Sequence, residues 1–238
     1  MNAMSGSQRR IQRMNADYSQ TEMISDHRYN LIMGGVVLFG LVVNILICFF
    51  CANAVEQMNP LLMIIGYIVC AIVGTIITVR SENPAISFAG YCLVVFPVGI
   101  MVCSVVNAYG GISSSVVTTA FLFTAIITAT MLVLSTVFPS FFKSLGKTLL
   151  ACLIGLLVCE LICALFRINQ MLTSWLAAII FSLYIGYDFQ RAQMFPKTAD
   201  NAVDCALDIY LDIINLFLRL VRILARSSGS SSSSKNKF

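Results

Sequence analysis

The stretch AVDCALDIYLDIINLFLRLVRIL, residues 202–224, decides how the rest of the chain must be arranged. At 1.5 Å per residue it is long enough to cross roughly 30 Å of hydrocarbon. Yet it holds three aspartates and two arginines, charges that a lipid-facing helix does not tolerate. Spacing resolves the conflict. Asp204, Asp208, Asp212, Asn215, Arg219 and Arg222 follow one another at intervals of four, four, three, four and three. On a helix of 3.6 residues per turn they form one narrow polar stripe. The other faces present Ile209, Leu211, Ile213, Leu216, Phe217, Leu220 and Ile223. Such a helix avoids the cost of its charges by turning the stripe toward protein or a watered cavity. The pattern predicts an all-α membrane protein whose last, amphipathic helix stands at the centre of the bundle.

Working outward, apolar runs long enough to span recur along almost the whole chain. Of 238 residues, 58% are hydrophobic and 11% charged, against about 25% charged in an ordinary soluble domain. This composition describes a polytopic helical membrane protein. Residues 1–29 are polar and basic, without apolar periodicity, and read as a mobile cytosolic tail. The predicted spans are 30–53, 61–79, 85–108, 115–138, 148–166, 172–187 and 202–224, with Pro97 expected to kink the third. Together they make a seven-helix membrane domain over 30–224, followed by a disordered Ser-rich tail over 225–238. An interfacial last helix would carry a wide cationic face, whereas this stripe is narrow and acidic over half its length.

Loop charge sets the orientation. With the N-terminus in the cytosol, that side holds nine basic residues: Arg9, Arg10, Arg13, Arg28, Arg80, Lys143, Lys147, Arg191 and Lys197. The opposite side holds four: Arg167, Arg226, Lys235 and Lys237. Seven spans then place the C-terminus on the luminal or extracellular side. No cleavable signal peptide is visible, because the first apolar run is long enough to be a permanent anchor. The net charge of +4 comes without a basic, aromatic-interleaved patch, so nucleic acid is not an expected partner. Of nine cysteines, eight lie in or at the ends of apolar runs and read as buried free thiols. Cys48 and Cys51 form one C-x-x-C with neither a second pair nor a nearby histidine, which argues against a metal site. The lone His27 lies among polar residues and reads as solvated.

The candidate chemistry lies where spans six and seven meet. Span six ends at Tyr187-Asp188, and span seven re-enters through Asp204, Asp208 and Asp212. Asp212 lies about nine residues into its helix, hence roughly 13 Å deep. Asp188, on the antiparallel neighbour, sits near the same side. Two carboxylates at a helix–helix contact do not both ionise cheaply, so the pair titrates as one proton-sharing unit. A carboxylate-lined, partly watered gap also suits a hard divalent cation such as calcium. The plainer alternative is that these acids pair with Arg80, Arg219 or backbone groups and only hold the bundle in register. Glu160, an acid within span five, either faces the same interior or makes an interhelical bond.

At these residues a resemblance emerges. Tyr187-Asp188-x-Gln190, a polar loop, Ala206-Leu207-x-x-Tyr210-Leu211-Asp212-Ile213-Ile214-Asn215-Leu216-Phe217-Leu218 and Arg222-Ile223-Leu224 resemble the closing signature of the transmembrane Bax-inhibitor (Lifeguard) family. A fainter similarity lies at Arg80, Asn83-Pro84 and Gly90-Tyr91. The resemblance implies seven helices wrapped around the last. It also implies a pH-sensitive calcium leak through the endoplasmic reticulum, another endomembrane or the cell membrane. In eukaryotes it implies suppression of cell death by lowering stored calcium. Carried over by position, the proton-sharing aspartates fall on Asp188 and Asp212, which would also hold calcium in transit. Asp208 and Asp204 would line the ion path, and the arginine latch falls on Arg80. The chain departs from the family where Asp208 and Arg219 put charge at usually uncharged positions, and where residues 61–79 lack an acid.

Calcium is thus expected as a permeant ion and not as a cofactor, with membrane lipid and other membrane proteins as partners. A rival reading is a non-conducting regulator that binds calcium channels or death-pathway proteins. An intramembrane hydrolase is disfavoured, since neither Gly-x-Ser-Gly with a membrane histidine, nor a paired Glu motif, nor H-E-x-x-H is present. A seven-helix receptor finds no support in the short loops.

Overall fold

The computed structural model describes residues 23–232, in which all regular structure is α-helical. The helices are α1 (Asp26–Phe50), α2 (Ala52–Glu56), α3 (Pro60–Arg80), α4 (Pro84–Ala108) and α5 (Ser115–Val137). After them come α6 (Pro139–Ser144), α7 (Gly146–Leu165), α8 (Met171–Ala192) and α9 (Ala199–Ser232). Among the described residues six of them, α1, α3, α4, α5, α7 and α8, are long and apolar enough to cross a membrane. The chain is a multi-pass membrane protein.

Local chemistry fixes the boundaries. Asn59 and Asn83 each cap a helix, their side chains accepting from Leu61 N and Ala85 N at 2.9 Å. A proline follows each cap at the first helical position, where its missing N–H costs nothing. Gly110 and Gly111, at φ +95° and +78°, supply the left-handed backbone that turns α4 into α5. Pro139 acts differently. It cannot donate to the carbonyl of Ser135 four residues before it, so α5 stops and α6 begins as an elbow. Gln190 Nε2 on α8 donates to that orphaned carbonyl at 2.6 Å. Pro97, by contrast, lies inside a continuous α4.

Close packing pairs α3 with α4. Gly74 and Gly90 face one another so tightly that a Cβ on Gly90 would lie 2.8 Å from the Gly74 carbonyl oxygen. Small residues at such a contact let helix backbones approach where no hydrophobic drive exists between them. The last helix, α9, packs against α8, α1, α5 and α4, and none of residues 199–224 is exposed. Tyr210 at its middle is fully buried and accepts a hydrogen bond from Asn44 Nδ2 on α1 at 2.9 Å.

Several boundaries differ from expectation. Residues 23–29 are not a mobile tail: Ile24 N donates to Lys197 O at 2.8 Å, and the buried Tyr29 hydroxyl donates to Ala192 O at 3.0 Å. Residues 1–22 lie outside the described part. The sixth predicted span ends at 187, whereas α8 continues to Ala192, because polar residues there find partners instead of breaking the helix. Likewise α9 starts at Ala199 and runs on to Ser232, so residues 225–232 are helical where composition predicts disorder. A packed helix propagates at one bond per residue, and Ser228 Oγ bonds back to Leu224 O at 2.9 Å. The remainder of that tail, 233–238, is outside the described residues. All nine cysteines are free, but only Cys48, Cys103 and Cys205 are buried within the protein, and His27 is exposed.

The α3–α4 contact gives a direct stability test. Gly90→Val should destabilise the purified protein by about 1–3 kcal/mol through overpacking, read as a lowered thermal midpoint. Gly66→Val on the same α3 meets nothing within 4 Å and should leave the midpoint unchanged.

Candidate functional site

The polar stripe of α9 is its least buried line. Asp204, Asp208, Asn215, Arg219 and Arg222 are half-buried, as are the neighbouring Leu211 and Leu218, while most other apolar positions of residues 202–224 are buried. Asp212 is the exception, buried at 8% exposure. Because α8 is one turn longer than the apolar run suggests, Asp188 and Arg191 both belong to its last turns. They share one helix face at i, i+3.

Arg191 organises the cluster. Its guanidinium lies 3.1 Å from Asp188 Oδ1 on its own helix and 2.5 Å from Asp208 Oδ2 on α9. The Tyr187 ring lies 5.6 Å beneath it, adding a cation–π contact. One planar cation with several fixed donors thus joins two helices. Asp212 lies near enough to Asp188 for the two carboxyl groups to feel each other's charge. Two such groups in a buried contact share one proton at less cost than both ionise. Among the described residues nothing donates to the buried Asp212 Oδ2.

Asp204 and Asp208 border a cavity of about 20 Å³ shared with Thr75, Val79, Phe195 and Asn201. Val79 and Phe195, with Leu207, make most of its lining apolar. The expected aspartates therefore do converge, Asp188 with Asp212 and Asp208, and Asp204 beside them. Arg80 does not join them: it is exposed at the end of α3. The cation at the aspartates is Arg191, and the i, i+3 spacing from Asp188 was the signal that could have found it.

Further ties hold the neighbouring helices. Asp200, buried in the first turn of α9, accepts a 2.6 Å bond from Ser87 Oγ on α4, and an acid there also suits the helix dipole. Glu160 settles as an interhelical partner: Arg219 clasps its carboxylate with both terminal nitrogens, one at 2.9 Å. In the α8–α9 connection, Lys197 Nζ sits 4.4 Å over the Tyr29 ring and donates to Gln193 Oε1 at 2.9 Å. Burial holds its amine below the usual lysine range.

Among known proteins, the family model described as inhibitor of apoptosis-promoting Bax1 matches residues 23–229. The chain belongs to the Bax-inhibitor family. Bax inhibitor 1 of Saccharomyces cerevisiae is 48% identical over 59 residues, 24% of this chain and 19% of the yeast protein. An uncharacterized protein of Helicobacter pylori is 36% identical over 55 residues, 23% of each chain. These alignments thus span about a fifth of the curated relatives' length. For this Bax-inhibitor chain the Tyr-Asp-x-Gln signature acquires physical roles. Tyr187 lies under Arg191, Asp188 pairs with it, and Gln190 satisfies the carbonyl that Pro139 leaves bare.

Removing the shared cation should hurt more than removing either acid. Arg191→Gln takes away the cation that joins Asp188 to Asp208 and is expected to cost about 3–5 kcal/mol. Differential scanning fluorimetry of detergent-solubilised protein would show this as a large fall in midpoint, with Arg191→Lys intermediate.

Proposed function

We propose that this Bax-inhibitor protein is a pH-gated calcium leak of an endomembrane, the endoplasmic reticulum first among them. By lowering stored calcium it would restrain cell death. The reading extends to seven spans with the N-terminus in the cytosol and α9 as the central, fully crossing helix. Supporting centrality is the run of residues 199–224 without one exposed position. The single observation that carries the gating is the Asp188–Asp212 contact beside Arg191, buried between α8 and α9.

With a proton shared between the two carboxyls, α8 and α9 are held together. Loss of that proton sets two like charges against each other in a poorly screened site, with Asp208 close by. Arg191 or an arriving calcium ion then decides the balance. Tyr184, one turn earlier on α8, faces the same pair. Among the described residues no three acid, Cys or His side chains group as a metal site. Calcium at Asp188 and Asp212 would therefore be transient, completed by water and carbonyl oxygens. Asp204 and Asp208, at the small cavity, line its approach. The activity is transport and not catalysis.

A second reading, a regulator that binds membrane partners and conducts nothing, is favoured by one observation. Arg191 and Arg219 tie the stripe to neighbouring helices, as purely structural charges would. Reconstitution separates the two. Pure protein in liposomes should release or admit calcium in a pH-dependent manner, and a silent preparation would favour the regulator. Asp188→Asn and Asp212→Asn should each flatten that pH dependence, and the double variant should add little, because the pair acts as one unit. Coupling of one pKa unit is about 1.4 kcal/mol, a tenfold change in an open–closed equilibrium. An undiminished pH response in the double variant would remove the pair as sensor. Glycosylation sites placed in each loop test the seven-span topology.

A further inference from the structure

Pro139 and the residues around it do more than end a helix. The elbow of residues 138–147 joins two apolar spans, which places it at headgroup level if those spans cross the bilayer. Its composition suits that level. Phe138 and Phe141 are 55% and 53% exposed, and Lys143 and Lys147 are exposed beside them. Rings that enter the interface and amines that stay at its polar surface are what an anionic bilayer face recognises.

The inner side of the elbow is clamped to α8. The Phe142 ring, 3% exposed, lies on Gly186 so closely that a Cβ there would fall 2.6 Å from its Cδ1 atom. In return the Tyr187 ring lies on Gly146, where a Cβ would be 2.8 Å from Cζ. Gln190 holds the Ser135 carbonyl at 2.6 Å. These three contacts grip residues 186–190, the turn that carries Asp188, and Tyr187 continues to Arg191. Displacement of the elbow is therefore displacement of that turn.

We propose that the elbow is a binding site for anionic phospholipid headgroups of the adjoining leaflet, and that its occupancy restrains the Asp188 turn. The site goes beyond the calcium-leak reading and stands whether or not the bundle conducts. Lys143 and Lys147 bind the phosphate and carboxylate of the headgroup. Phe138 and Phe141 seat among the upper acyl chains. Phe142, Tyr187 and Gln190 transmit the restraint.

The full-length protein, titrated with phosphatidylserine or phosphatidylcholine in mixed micelles, tests this by native mass spectrometry. A basic side chain near an anionic surface is worth about fivefold in binding, so two are worth roughly 25-fold. Lys143→Gln with Lys147→Gln should reduce phosphatidylserine retention by about that factor, down to the phosphatidylcholine level. Lys143→Arg with Lys147→Arg should preserve it. Equal retention by the wild type and the double Gln variant would overturn the site. Equally tight binding of soluble glycerol phosphate would overturn its assignment to lipid. Phosphatidylserine should also slow amide exchange over residues 186–192 in the wild type and not in the double Gln variant. Retention without that protection would overturn the coupling to α8.

Discussion

The rest of the structure depends on one guanidinium. Arg191 stands between an acid of its own helix and an acid of the next, and so joins α8 to α9 where both carry charge away from bulk water. Isolated, any of these three charges would cost several kcal/mol to bury. Together they allow a stripe of ionisable groups inside an apolar protein, with Asp212 close enough to Asp188 to share its fate. The neighbouring contacts, Tyr187 beneath the cation and Gln190 on the elbow, keep that turn of α8 in register.

Much of this was legible because charge inside an apolar run leaves few options. The spacing of Asp204, Asp208, Asp212, Arg219 and Arg222 fixed which face of α9 is polar, and the pairing of Asp188 with Asp212 followed from two antiparallel neighbours. What stayed hidden was the cation. The apolar run stops near 187, which reads as the end of the helix and leaves Arg191 in a loop, while the resemblance points to Arg80. A helix ends where its hydrogen bonds end, and α8 keeps its bonds past Asp188 to Ala192. Similarly, no spacing along one chain reveals that Glu160 lies level with Arg219, since that depends on how two helices slide past each other. Pro139 could be recognised as a breaker, but Gln190 as the donor that repairs the break is a three-dimensional fact.

The order of charges along α9 follows its own electrostatics. Asp200, Asp204, Asp208 and Asp212 occupy the N-terminal half, and Arg219, Arg222 and Arg226 the C-terminal half. Acids near the positive end of a helix dipole and bases near the negative end are each favourable, most strongly in the terminal turns. Asp200, in the first turn, profits most from this. Those deeper in rely on cross-helix partners, which is where Arg191 and Glu160 are found.

The charged stripe also bears on how the protein is made. An aspartate or arginine at the centre of a helix adds about 2.5–3.5 kcal/mol to its insertion from the translocon into lipid. Residues 202–224 hold five such groups, too many for the segment to partition by itself. The preceding spans do not share this difficulty and can enter as they emerge from the ribosome. The segment that is last in the chain is thus the one that must wait for a protein lining. On the proposed seven-span reading its entry into the membrane is a folding step, completed only after α8 has brought Arg191 into place.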